Sequence, residues 1–147
     1  EWTVWVDSDW AGCRVTRKST SGGSVMWGSH VIRSWSTTQS VIAMSSGEAE
    51  YYSMVKGSSM GMGVKSISMD MGVFVPVINV KTDASAAKGI ASRRGLGKIR
   101  HIEVSQLWLQ DRVSRGEIMV TKVRTNDNLA DALTKYVGSS ILESHMR

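Results

Sequence analysis

Apolar residues alternate from the start of the chain. Trp2, Val4 and Val6 recur at every second position, the spacing of one face of a strand, and Trp, Thr and Val favour that state. Asp7 and Asp9 then fall on one face and Ser8 on the other, so a hydrophobic strand ends in two like charges. Such charges repel unless a cation or water lies between them, which makes this end the first candidate for a site. Residues 13–23 are polar, carry Arg14, Arg17 and Lys18, and read as a turn region. Residues 24–27 and 30–35 read as two further short strands joined at Gly28-Ser29, giving an antiparallel meander of three.

The pattern then becomes helical. Ser45 with Glu48 three residues later forms a capping box, and the predicted helix runs from there to about Met71, before Gly72 and Pro76. Glu48 and Glu50 lie about 200° apart around a helix, so one caps while the other projects. Gly57, Gly61 and Gly63 each cost about 1 kcal/mol against alanine in a helix interior, and Met60, Met62, Met69 and Met71 are compliant fillers. The second half is therefore expected to be weak; Gly57 and Gly61 mark either close packing or drift. Residues 77–83 read as a buried strand with an acidic end and residues 84–91 as a short helix, for which Asp83 can equally be the N-cap. A basic hinge at 93–101 precedes a helix ending near Ser114, with Ile102, Leu109 and Val113 near-aligned, and then a strand at 117–123. A final helix is expected with Asp127 as its N-cap, Leu129, Leu133, Tyr136 and Val137 toward the core, and Asp131 pointing away.

Composition narrows the class. At 147 residues, 41% hydrophobic and 21% charged, the chain fits one globular domain spanning residues 1–147 and not a disordered tail. No apolar run approaches the ~20 residues of a membrane span. Cys13 is the single cysteine, so no intramolecular disulfide forms and a reducing, intracellular setting is the expectation. The chain opens on a strand without Met, as expected of a fragment of a longer protein. Lys plus Arg outnumber Asp plus Glu by 18 to 13, which suits a polyanionic partner.

The predicted order is three strands, a long helix, a strand, one or two helices, a strand and a closing helix. Carboxylates stand at strand ends (Asp7, Asp83) and early in helices (Glu50, Asp131), positions that can meet at one edge of a sheet. A bare cluster of four is unstable but suits hard divalent cations. Asp9, Glu48 and Asp127 are the rivals of Asp7, Glu50 and Asp131. No His–acid pair is placed to activate Cys13, Ser45 or Ser46 as a nucleophile.

Six stretches carry a family resemblance: Asp7-Ser-Asp-Trp-Ala-Gly12, Arg17-Lys-Ser-Thr-Ser-Gly22, Ser45-Ser-Gly-Glu-Ala-Glu-Tyr51, Thr82-Asp-Ala-Ser-Ala-Ala87, Lys98-Ile-Arg-His-Ile102 and Asn128-Leu-Ala-Asp-Ala-Leu-Thr-Lys135. In this order they resemble the ribonuclease H domain of copia-type LTR retrotransposon Pol polyproteins. The resemblance implies an α/β, ribonuclease H-like fold: a five-stranded mixed sheet, three antiparallel strands then two more, flanked by helices. It also implies that Asp7, Glu50, Asp83 and Asp131 are catalytic and hold two Mg²⁺ or Mn²⁺. Asp7 would bridge the ions, Asp131 would stand on the water-activating side, and Glu50 and Asp83 on the leaving-group side. The reaction would be hydrolysis of the RNA strand of an RNA–DNA hybrid, with the reverse transcriptase portion of the same polyprotein as a further partner. Arg14, Arg17, Lys18, Arg93, Arg94, Lys98 and Arg100 would hold backbone phosphates; Asp9 and His101 would be accessory. His30 and His145 read as incidental. Relatives usually carry a histidine in the loop before the last helix, whereas here that loop is Arg124-Thr-Asn126, which puts fast turnover in doubt. Two other readings are a retroelement-derived non-catalytic subunit in a larger assembly and a clamp that binds hybrid without cutting it.

Overall fold

The computed structural model describes residues 1–92 and 107–134, with 143, 145 and 146. Its centre is β1 (Trp2–Asp9), which pairs antiparallel with β2 (Thr20–Trp27) from Trp2↔Trp27 to Asp9↔Thr20. β2 pairs antiparallel with β3 (His30–Thr38). On its other side β1 runs parallel to β4 (Ile78–Thr82), which runs parallel to β5 (Ile118–Lys122). The sheet order is β3-β2-β1-β4-β5, the expected mixed sheet.

β2 and β3 are longer than their apolar runs. Gly22 and Gly23, read from sequence as part of a turn, lie inside β2, where three neighbours occupy the space a side chain would need. The Trp35 indole covers Gly23, and Leu133 and Thr134 cover Gly22 on the opposite face. Residues without side chains thus extend the strand and let both faces of the sheet be packed.

The long helix α1 (Ser46–Asp70) lies on the face that carries Val4 and Val6. A Cβ at Gly57 would strike the Val6 side chain, and one at Gly61 would lie 2.8 Å from Val4 and 3.3 Å from Ile78. Close packing therefore explains both glycines, while Gly63 meets open space. The helix closes in a Schellman motif: the Val73 amide donates to Ser68 O at 2.8 Å and the Gly72 amide to Met69 O at 3.0 Å, with Gly72 at φ 86°. Two shorter helices follow, α2 (Ser85–Ser92) and α3 (Trp108–Ser114). The core joins Val4, Val6, Val25 and Trp35 of the sheet to Tyr51 and Met54 of α1, Ile90 of α2 and Leu109 of α3.

The C-terminal part departs from expectation. Residues 125–133 form two single turns of 3₁₀-helix, Thr125–Asp127 and Asp131–Leu133, rather than the start of an α-helix capped by Asp127, while Glu143, His145 and Met146 are helical. Asp127 is exposed, and Asn128 does the local capping instead, its Oδ1 accepting the Ala130 amide at 3.1 Å. Arg93, Arg94, Lys98, Arg100, His101, Ile102, Tyr136 and Val137 lie outside the described residues.

Candidate metal centre

Parallel strands raise their carboxyl ends together, and a crevice forms where the strand order reverses. Here that point lies between β1 and β4. Their pairing ends at Trp5↔Lys81, so Asp7 and Asp83 stand side by side two residues beyond it. α1 begins at the same edge and brings Glu50; the Asp131 turn approaches from the opposite face of the sheet. One carboxylate oxygen each from Asp7, Asp83 and Asp131 lie within 4.8 Å of one another.

The backbone around Asp7 is held from several sides. Ser53 Oγ of α1 donates to Asp7 O at 2.9 Å and contacts Ser21 Oγ at 3.0 Å, and Gln39 Nε2 donates to Ser21 Oγ and Ala49 O. This buried polar network ties the head of α1 to the ends of β1 and β2. Asn128, fully buried, donates from Nδ2 to Val6 O at 2.9 Å. Thr134 Oγ1 reaches the Asp7 carboxylate at 2.5 Å, and Ser36 Oγ donates to Leu133 O at 2.6 Å. Asp7 and Asp131 are both buried, at 1% and 6% exposure, so their charges sit where water screens little.

Glu50 reports on that field. Burial, then the charges of Asp7 and Asp83, push its carboxyl up to about 8, although hydrogen bonds from Ser8 pull the other way. Its Oε2 is buried without a hydrogen-bond partner among the described residues. Asp7, Asp83 and Asp131 stand as close as the oxygens around a hard divalent cation, which would relieve their repulsion, while Glu50 is outside that group of three and feels the charges of Asp7 and Asp83.

The rival acids are placed elsewhere. Glu48 is 1% exposed and spent on structure: its carboxylate accepts the Met44 amide at 3.1 Å and the Tyr52 hydroxyl at 2.7 Å, while its own amide bonds Ser45 Oγ. The capping box thus closes one residue earlier than the Ser45 amide. Asp9 lies over Gly12, where any side chain at residue 12 would collide with its carboxylate. Asp127 pairs with Arg124 Nε at 3.2 Å. Asp83 is not a helix cap, since Ala84 holds that position and its carbonyl accepts the Lys88 amide. Arg14, Arg17 and Lys18 lie on the β1–β2 connection, which leaves from the acidic end. His145, read as incidental, places Nε2 3.0 Å from Asn126 O in the loop that lacks its own histidine.

Sequence reading missed Asn128, Ser53, Gln39 and Thr134 as the framework of the site. Only Asn128 left a signal, an Asn whose side chain can accept the amide two residues on; the others depend on contacts between distant segments.

Similarity to known proteins follows this geometry. No protein-family model matches the chain. Over 136 residues, 88% of the chain, it is 35% identical to the retrovirus-related Pol polyprotein from transposon RE1 of Arabidopsis thaliana, and it spans 9% of that protein's length. The N-terminal RNase H domain of a Mycobacterium tuberculosis protein, solved as a maltose-binding-protein fusion, superposes with a TM-score of 0.58 at 16% identity, covering 99% of this chain and 95% of that one. LC11-RNase H1 in complex with an RNA/DNA hybrid gives 0.55 at 10% identity, covering 91% and 94%. The chain has the ribonuclease H-like fold and is similar in sequence to transposon Pol polyproteins. The ribonuclease H-like domain is thus a small part of the proteins it resembles in sequence, and its fold is that of both solved structures.

Proposed function

We propose that the domain is a two-metal endoribonuclease that hydrolyses the RNA strand of RNA–DNA hybrids. The observation that carries this reading is the meeting of Asp7, Asp83 and Asp131 oxygens within 4.8 Å at the β1–β4 crevice. Asp7, Glu50, Asp83 and Asp131 are the catalytic residues in this reading, and they would hold two Mg²⁺ or Mn²⁺ ions. When bound, such ions lower the pKa of water and neutralise charge developing on phosphorus.

The chain's own residues set the rest. Asp7, fixed through its carbonyl by Ser53 and through its carboxylate by Thr134, keeps the centre of the donor set in place. Glu50 must give up its proton before it can serve as a ligand, which ties ion binding to pH. Arg14, Arg17 and Lys18 border the acidic end and supply sequence-independent attraction for a nucleic-acid backbone. We take a reverse transcriptase portion of the same polyprotein as a further partner, a reading supported by the similarity to retrovirus-related Pol polyproteins.

The subunit reading has one observation in its favour. Ile67, Met69, Met71 and Phe74 are exposed at the C-terminal end of α1. That end is about 30 Å along the helix from Glu50, so a contact there leaves the site open and is compatible with catalysis.

The test is cleavage of labelled hybrid RNA by the purified domain. Mg²⁺-dependent cutting that Asp83→Asn abolishes is the expected result. A folded protein that binds Mg²⁺ and never cuts would refute it, and salt-dependent hybrid binding without cutting would replace it with the clamp reading.

A further inference from the structure

Beside Asp83 the surface opens into a hollow of about 400 Å³, walled by Asp83, Lys122, Val123, Arg124 and Thr125. The strand register creates it. Thr82↔Lys122 is the last pair of β4 with β5, and the Val123 amide still donates to Thr82 O at 2.8 Å. The chain therefore leaves β5 alongside Asp83 and lays residues 123–125 against it.

Two cations share this hollow with a carboxylate yet make no ion pair with it. Lys122 is exposed at the strand end and has no hydrogen-bond or ion-pair partner among the described residues. Arg124 is held from behind: its Nε lies 3.2 Å from Asp127 Oδ2, and its side chain is 90% exposed. The tether uses the inner edge of the guanidinium and leaves both terminal amino groups for a ligand. A planar fork with free ends, next to a point charge, matches the oxygens of a phosphate. At about 400 Å³ the hollow has room for one phosphate and its sugar.

We propose that Lys122 and Arg124 seat a backbone phosphate of the strand being cut, adjacent to the scissile one, with Asp127 as the positioning residue for Arg124. This rests on the nuclease reading and adds to it. Contact with the neighbouring phosphate holds the strand in register over the acids, so that binding at one phosphate orients the next.

The experiment uses the intact chain and an RNA–DNA hybrid, with KM and kcat measured between 50 and 200 mM salt for wild type, Arg124→Ala, Arg124→Lys, Lys122→Ala and Asp127→Asn. Thermal melts verify folding. Arg124→Ala should raise KM roughly five- to tenfold, leave kcat within about twofold, and reduce the slope of log affinity against log salt by about 0.9, one phosphate contact. Lys122→Ala should act in the same direction. Arg124→Lys should keep the slope, and Asp127→Asn should raise KM by a smaller factor with the slope unchanged. Normal cleavage by Arg124→Ala with unaltered KM and salt slope overturns the proposal and leaves the nuclease reading standing. Loss of kcat at constant KM overturns it too, because the residue would then act on the chemistry. A wild-type chain that neither binds nor cuts hybrid removes both.

Discussion

Glu50→Gln should make the metal-free domain more stable at pH 8 while destroying its use as a ligand. Burial, followed by the charges of Asp7 and Asp83, raises the Glu50 carboxyl from 4.5 to about 8. Below pH 4.5 both the folded and the unfolded chain hold this proton. Between 4.5 and about 8 only the folded chain does, so stability falls as pH rises, by about 1.4 kcal/mol per pH unit. Over the whole interval the loss is on the order of 3–5 kcal/mol once the partly open rim of the site is allowed for, and above about pH 8 it levels off. Gln has nearly the same shape and no charge, so it keeps the packing and removes the slope.

The measurement is denaturant unfolding of wild type and Glu50→Gln from pH 5 to 9 in chelator, with the difference between the two curves isolating this one group. The variant should be near wild type at pH 5 and more stable by a few kcal/mol at pH 8. Adding Mg²⁺ should stabilise wild type most at high pH, where Glu50 is already ionised, and binding below pH 8 should release close to one proton from Glu50. Parallel curves for the two proteins would refute the reasoning, since Glu50 would then titrate alike in the folded and unfolded chain.

The glycines of α1 should respond with opposite signs. Gly63→Ala, facing open space, should stabilise by about 1 kcal/mol through helix propensity. Gly57→Ala gains the same propensity but forces a methyl into Val6 and Val4, at about 1–3 kcal/mol of overpacking, so its melting temperature should drop. Asn128→Ala leaves the buried Val6 carbonyl and Ala130 amide unpaired, at about 2–4 kcal/mol, and should weaken Mg²⁺ binding in a calorimetric titration although Asn128 is no ligand. Cys13, whose thiol is lowered to about 7 chiefly by the Thr16 hydroxyl, should alkylate with a half-maximal rate near pH 7, and Thr16→Val should move that midpoint up.

What could be read from the chain alone was whatever short-range periodicity records. The alternation of Trp2, Val4 and Val6 located β1, the Ser45–Glu48 spacing located the head of α1, and the separation of Glu48 from Glu50 around a helix distinguished a structural acid from a projecting one. Gly22 and Gly23 misled, because glycine marks a turn when seen locally and a close contact when Trp35 or Thr134 lies over it. Asp127 misled in the same way. Its type and position suit an N-cap, but no α-helix starts there: the neighbouring Asn128 accepts the Ala130 amide in a local turn, and Asp127 holds Arg124.

The site itself depends on contacts that no local pattern contains. β1 has an antiparallel neighbour on one side and a parallel one on the other, so its carboxyl end lies at the reversal of strand order, and the β4 register alone brings Asp83 beside Asp7. Asp131 arrives differently. It is placed by a segment that closes over the sheet by bonding residues 6 and 7 themselves, Asn128 to the Val6 carbonyl and Thr134 to the Asp7 carboxylate. The end of β1 and the segment that delivers the last acid therefore share direct bonds, and a perturbation of either should be felt at both. Asn128 also accepts the Asp131 amide on its own carbonyl at 3.2 Å, so one buried asparagine joins the end of β1 to the turn that carries this acid.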